Sequence, residues 1–306
     1  MKETIKDFVE ILDEDRIIAD ADMREFTSFK AGGKAKILVT PNSVEELKAI
    51  LVYLDEKNIN HMIIGNGSNI LVKDGGFDGV MVKIGQGFDS VIVNGDEITA
   101  GAGALLSVVA KTAQRESLAG MEFASGIPGS MGGAAFMNAG AYGGEMKDII
   151  TQVRVVSKDG REDKIMSLEE LELGYRHSKL YDTLDIVVSV TMKLRKGNKT
   201  EILDEMKELN KKRNTKQPVN YPSAGSFFKR PEGYFAGKLV QDANLKGVTV
   251  GGAQVSELHS GFVINIGDAT ATDIINLMHI VQGVVMKEFG VMLQPEVRII
   301  GEDSEL

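Results

Sequence analysis

The chain has 306 residues, 43% hydrophobic and 26% charged, which suits two or three folded modules with a substantial core and excludes a disordered chain. Its formal net charge of −9 disfavours a general nucleic-acid binder, which needs exposed Lys and Arg against phosphates, and the absence of cysteine excludes disulfide and thiolate chemistry. No run approaches the roughly 18 consecutive apolar residues of a membrane span, and the N-terminus lacks the basic start and apolar core of a signal peptide; a cytoplasmic protein with no membrane partner is expected.

In chain order, MKETIKDFVEILDEDRIIADADM at 1–23 reads as an amphipathic helix. ILV at 37–39 reads as a strand. A helix follows over 43–58, with Ser43 and Glu46 forming a capping box and Val44, Leu47, Ile50, Leu51 and Leu54 one apolar stripe. HMII at 61–64 and NILV at 69–72 are short buried strands. The GNGSNIL turn at 65–71, between them, lacks the third glycine and following helix of a Rossmann fingerprint. It can present successive backbone N–H groups to a diphosphate, or serve as a plain strand-to-strand turn.

From about 85 to 198 the pattern gives GAGALL at 101–106 as a turn, a helix over ALLSVVAKTAQRES, strands flanking the Asp159-Gly160 turn, and a strand at 185–194. Within this stretch SGIPGSMGGAAFMNAGAYG at 125–143 is dominated by Gly, Ala, Ser and Asn and is almost uncharged. Close approach of backbone to a large planar or diphosphate-bearing ligand explains so many missing side chains; a tightly packed turn is the alternative. LGYRHS at 173–178 carries Arg176, whose planar fork suits a carboxylate but equally suits a surface ion pair. The histidines at 61, 177, 259 and 279 show no metal-ligand spacing, so no metal is expected.

The remainder reads as a charged helix near 199–213, a helix at 234–243, strands near 247–255 and 259–265, a helix over about 271–289, and a strand EVRIIG at 296–301. Between Asn210 and Arg230 stand six basic residues and no acidic one, an island in an acidic chain that suggests a local anion site, with a solvated helix end the alternative for Lys211 and Lys212. In AGSFFKRP the hydroxyl of Ser226 precedes two phenylalanines and two cations. No adjacent base is apparent, so it suits a proton donor better than a nucleophile. Glu296 and Arg298, two apart on the expected strand, would share a face and could simply pair.

Taken together, AGSFFKRP, LGYRHS and QPEVRIIG, in that order, resemble the UDP-N-acetylenolpyruvoylglucosamine reductases, and the likeness runs from TSFKAGGKAKILVTPNS at 27–43 to QPEVRIIG at 294–301. The resemblance implies an α+β fold: an FAD-binding region of the vanillyl-alcohol-oxidase (PCMH) type in two subdomains, 1–84 and 85–198, and an α+β substrate-binding domain at 199–306. It implies non-covalent FAD, NADPH as co-substrate, a UDP-sugar substrate, and Arg176, Ser226 and Glu296 at the catalytic positions. The cofactor positions it implies are Gly65, Asn66, Gly67, Ser68 and Asn69 in one loop. In the other they are Gly126, Ile127, Pro128, Gly129, Ser130, Gly132, Gly133, Asn138, Ala139, Gly140, Ala141 and Tyr142. Lys216, Lys229 and Arg298 are the expected substrate contacts. Hydride would reach the terminal carbon of an enolpyruvyl group, Arg176 and a protonated Glu296 would stabilise the charge that develops, and Ser226 would supply the proton. The short interval between Arg176 and Ser226 suits the subclass without an extra substrate-covering segment. A flavin oxidase or dehydrogenase of the same superfamily, acting on an alcohol or hydroxy acid, is the rival reading; a non-enzymatic nucleotide-binding regulator is the second.

Overall fold

The computed structural model describes residues 2–304. The N-terminal helix is Lys2–Val9, where buried Phe8 meets the Tyr53 ring at 5.3 Å between centroids and the Tyr53 hydroxyl donates to Asp7 at 2.6 Å. The expected helix over 1–23 does not continue: Glu14–Arg16 is one 3-10 turn and Ile17–Asp22 is a strand. The paired β-branched Ile17 and Ile18 favour extended backbone, and the acids before them supply no apolar stripe to carry a helix onward. Met1, included in that expectation, lies outside the described residues.

By spatial proximity the chain forms two compact units, each drawn from three segments: Met1–Ala19, Ile37–Asn66 and Gly79–Lys212 in one, Asp20–Lys36, Gly67–Asp78 and Arg213–Leu306 in the other. Each has its own hydrophobic cluster.

The first unit is built on a five-stranded antiparallel sheet, ordered Asp163–Ser167, Ile150–Val156, Ile186–Lys193, Glu97–Gly101 and Val91–Asn94. Val153, Val155, Val190 and Met192 on its inner strands are buried, as the β-branched character of these strands dictates. His61–Ile64 pairs in parallel with Val80–Lys83. The glycine-rich run is not all loop. It holds the helix Met131–Phe136, packed on the strand Ile186–Lys193, and a tight hairpin pairing Gly140–Ala141 with Gly144–Glu145. Gly132 belongs to that packing, since a Cβ there would lie 2.8 Å from the Ala102 Cβ.

In the second unit the strands Thr249–Val250, Ala253–Val255 and Val263–Asn265 form an antiparallel sheet against which the helix Ala271–Phe289 packs. That helix is fixed at both ends by sequence. Thr270 and Asp273 form a reciprocal capping box, and Gly290 ends it in the left-handed conformation (φ 68°). Between them Ile274, Leu277, Met278, Val281 and Val285 are buried at helical spacing. The last strand, Arg298–Ile300, lies parallel to Ile70–Val72. Among the described residues no helix is long and apolar enough to cross a membrane.

Candidate active site

In the first unit Arg176 sits at the third position of a tight turn closed by Gly174 N–H to His177 O (3.0 Å) and His177 N–H to Gly174 O (3.3 Å). Its φ is 53°, a left-handed conformation uncommon for a long side chain and the kind of backbone outlier that concentrates at functional sites. Arg176 is half-buried; one guanidinium nitrogen donates to Gly140 O at 3.4 Å and Cζ lies 5.1 Å from the Tyr175 ring centroid. The glycine-rich run thus borders the arginine through Gly140.

Ser130 opens the helix Met131–Phe136 yet caps nothing: its hydroxyl is buried and, among the described residues, has no hydrogen-bond partner. Gly65 comes so close that a Cβ there would sit 2.5 Å from the Ser130 Oγ. A buried hydroxyl with nothing to bond, walled by glycine, is costly unless a ligand accepts its proton, and a diphosphate oxygen meets that need. The residues here therefore fit a dinucleotide cofactor. Gly126, Ile127, Gly129 and Gly133 leave the wall without large polar side chains, Pro128 and Gly133 are exposed, and Asn66 and Tyr142 stand exposed near the ends of the two segments. Ala139 and Asn138 are buried.

In the second unit Ser226, Lys229, Glu296 and Arg298 lie on neighbouring segments of backbone. Phe227 and Phe228 are buried and anchor the AGSFFKRP segment, leaving Ser226 exposed after Gly225, whose φ of 76° only glycine adopts without strain. Phe228 bridges Pro295 in antiparallel fashion, Lys229 N–H donates to Gln294 O (2.8 Å), and Glu296 N–H donates to Phe227 O (2.8 Å). Ser226 and Glu296 accordingly lie on adjacent, hydrogen-bonded segments. Asn69 joins them: its Nδ2 donates to Glu296 O at 3.1 Å, while its own carbonyl accepts from Arg298 N–H at 3.0 Å. Glu296 itself precedes the strand, which starts at Arg298, so the shared-face argument for these two does not apply. Lys229 and Arg298 are half-buried, and Lys216 is exposed at the end of the helix Lys199–Lys216.

One supporting residue carried no pattern in the sequence. His259 Nδ1 accepts from Gly261 N–H at 3.1 Å, and Gly261 O accepts from Phe227 N–H at 2.8 Å, next to Ser226. Burial, with Lys246 adding to it, pushes the imidazole below its ordinary value and favours the neutral form this bond requires. Elsewhere in the unit a cavity of about 460 Å³, lined among others by Arg24, Lys30, Tyr221 and Asp268, contains none of the expected site residues.

Residues 217–300 match the UDP-N-acetylenolpyruvoylglucosamine reductase C-terminal domain family, and residues 35–164 an FAD binding domain family. The UDP-N-acetylenolpyruvoylglucosamine reductase of Alkaliphilus oremlandii is 49% identical over 97% of this chain and 98% of its own length. The chain belongs to that family. The corresponding reductase of Clostridioides difficile is 50% identical over 96% of each chain, and the crystal structure of the Thermus caldophilus reductase superposes with a TM-score of 0.79 at 35% identity, covering 92% of this chain and 97% of that one. The chain is therefore an FAD-dependent oxidoreductase of α+β fold, joining an FAD-binding region of the PCMH type to the family's C-terminal domain.

Proposed function

We propose that the chain reduces UDP-N-acetyl-3-O-(1-carboxyvinyl)-glucosamine to UDP-N-acetylmuramate with NADPH, a cytoplasmic step in peptidoglycan precursor synthesis. In this reading residues 1–84 and 85–198 hold non-covalent FAD and 199–306 hold the sugar nucleotide. FAD, when bound, supplies the hydride-transfer chemistry between NADPH and the alkene. Ser130 donates to its diphosphate, and the backbone of Gly65–Asn69 and of the glycine-rich run lies against it. Arg176 faces the carboxylate of the enolpyruvyl group and stabilises the negative charge that builds there; a protonated Glu296 assists. Ser226 gives its hydroxyl proton to the carbon next to that carboxylate. Lys216, Lys229 and Arg298 meet the phosphates.

What supports this most is the bond from Glu296 N–H to Phe227 O, which sets the backbone that carries Ser226 beside the backbone that carries Glu296, a proton donor and a carboxyl in neighbouring segments as suits reduction of an electron-poor alkene. Ser226→Ala tests it. The variant retains FAD, and NADPH reduces its flavin at nearly the wild-type rate, while reoxidation by the enolpyruvyl sugar nucleotide slows by roughly 10²-fold or more in stopped flow. Equal slowing of both half-reactions would make Ser226 a binding residue and remove the proton donor from the scheme.

A further inference from the structure

Asn138 belongs to the segment read as cofactor-facing, yet its side chain points into the protein. It is fully buried, with φ 46°. Its Nδ2 donates to Glu145 Oε2 (2.8 Å) and to Gly174 O (2.9 Å), and its Oδ1 accepts from Lys147 N–H (2.9 Å). Both amide protons and the carbonyl are thus engaged by the chain itself, which leaves little for a ligand to claim. The partners are informative. Glu145 closes the Gly140–Glu145 hairpin and carries the Lys147 ammonium on its other oxygen, and Gly174 opens the turn that bears Arg176. Two more bonds join the same two segments: Ser178 Oγ to Phe136 O (2.5 Å) and Arg176 Nη2 to Gly140 O (3.4 Å).

We infer that Asn138 is a positioning residue for Arg176, fixing the turn on which the arginine rides to the 136–145 segment. A left-handed arginine persists only where its surroundings over-determine it, and the Asn138 amide is the link that holds the first residue of its turn. The direction of Arg176 and the shape of the glycine-rich segment are thereby set together. This inference rests on the proposed role of Arg176 in charge stabilisation.

Asn138→Gly tests it without backbone strain, because glycine accepts a positive φ and only the brace is lost. Asn138→Asp, equal in size, keeps the acceptor for Lys147, loses both donors, and serves the same comparison if the glycine variant does not fold. Both variants are expected to bind FAD within about threefold of wild type. Amide hydrogen exchange across 174–178 accelerates about tenfold or more, and kcat falls roughly 10- to 100-fold at unchanged KM for NADPH, the scale of a small misplacement. In an Arg176→Ala background the same substitution changes kcat by less than about twofold, as expected of two residues acting as one unit. Unchanged exchange at 174–178, or a loss that multiplies undiminished onto Arg176→Ala, overturns the inference. An Arg176→Ala enzyme of full activity sinks the catalytic reading of Arg176, and the exchange measurement separately decides whether Asn138 holds the turn.

Discussion

Ser130 and Asn138 stand eight positions apart in one segment of small residues, and burial treats them in opposite ways. Asn138 is saturated with protein partners, whereas the Ser130 hydroxyl has none among the described residues. Leaving a buried hydroxyl unbonded costs about 1–3 kcal/mol, so its removal should not harm the protein without cofactor. Ser130→Ala is accordingly expected to leave the melting temperature of the FAD-free protein unchanged or slightly raised, and to weaken FAD binding by about 10- to 100-fold, the scale of one hydrogen bond to a charged oxygen. Fluorescence titration of flavin into the stripped protein measures the affinity and calorimetry the stability. Unaltered affinity would mean that the hydroxyl does not face the diphosphate.

Elements show where a linear reading succeeds. The helix Ala271–Phe289 was legible to its ends because cap, apolar period and terminal glycine all agree within one stretch of chain. Of the capping box expected for the helix Val44–Glu56 only half forms, with Ser43 Oγ accepting from Glu46 N–H at 3.1 Å. The return bond to Ser43 is replaced: Glu46 Oε2 accepts from Asn42 N–H (2.7 Å) and from Arg16 (2.5 Å), thirty residues away, a contact no local pattern encodes. Strands Phe77–Lys83 and Val91–Asn94 escaped notice for related reasons, the first interrupted by Asp78 and Gly79, the second short and polar at its turn. At the candidate site, residue type alone left Arg176 open between a carboxylate partner and a surface ion pair, and the resemblance of LGYRHS and AGSFFKRP singled out Arg176 and Ser226; the positive φ of Arg176 and the support of Asn138 and His259 depend on chain folded from far away. The Arg16 hydrogen bond holds the Glu46 carboxyl below its ordinary value of 4.5. A depressed folded pKa gives stability that is present above the unfolded value and lost as pH falls through the folded one. Glu46→Gln should therefore cost about 1 kcal/mol at pH 7, and the gap from wild type should close as pH falls from about 5 toward 3, as urea denaturation across that range will read. A constant gap would show that the ion pair contributes nothing beyond the neutral hydrogen bond.

Over the whole molecule the charge distribution sets competing long-range and local fields. Under the proposed function the net charge of −9 opposes an anionic sugar nucleotide at a distance, and the basic island between Asn210 and Arg230 favours it nearby. Not all of the island is equally available, since Lys212 bonds to Glu208 at 2.6 Å; Lys216 stands exposed without an acidic neighbour in sequence, and Lys229 lies three residues beyond Ser226. Salt discriminates the two fields. With a Debye length of about 10 Å at 0.1 M, added salt screens the diffuse repulsion and the local attraction differently, weakening whichever governs capture of the substrate. If the island governs, kcat/KM for the enolpyruvyl sugar nucleotide falls as sodium chloride rises from about 20 to 300 mM, because steering by a cationic patch is an ionic-strength-dependent rate effect. The slope should flatten in Lys216→Gln and flatten further when Lys229→Gln is added, with the melting temperature held nearly constant since neither change removes a buried contact. A kcat/KM that instead rises with salt would show that the net negative field limits capture, and a slope untouched by both substitutions would remove Lys216 and Lys229 from the phosphate-binding assignment.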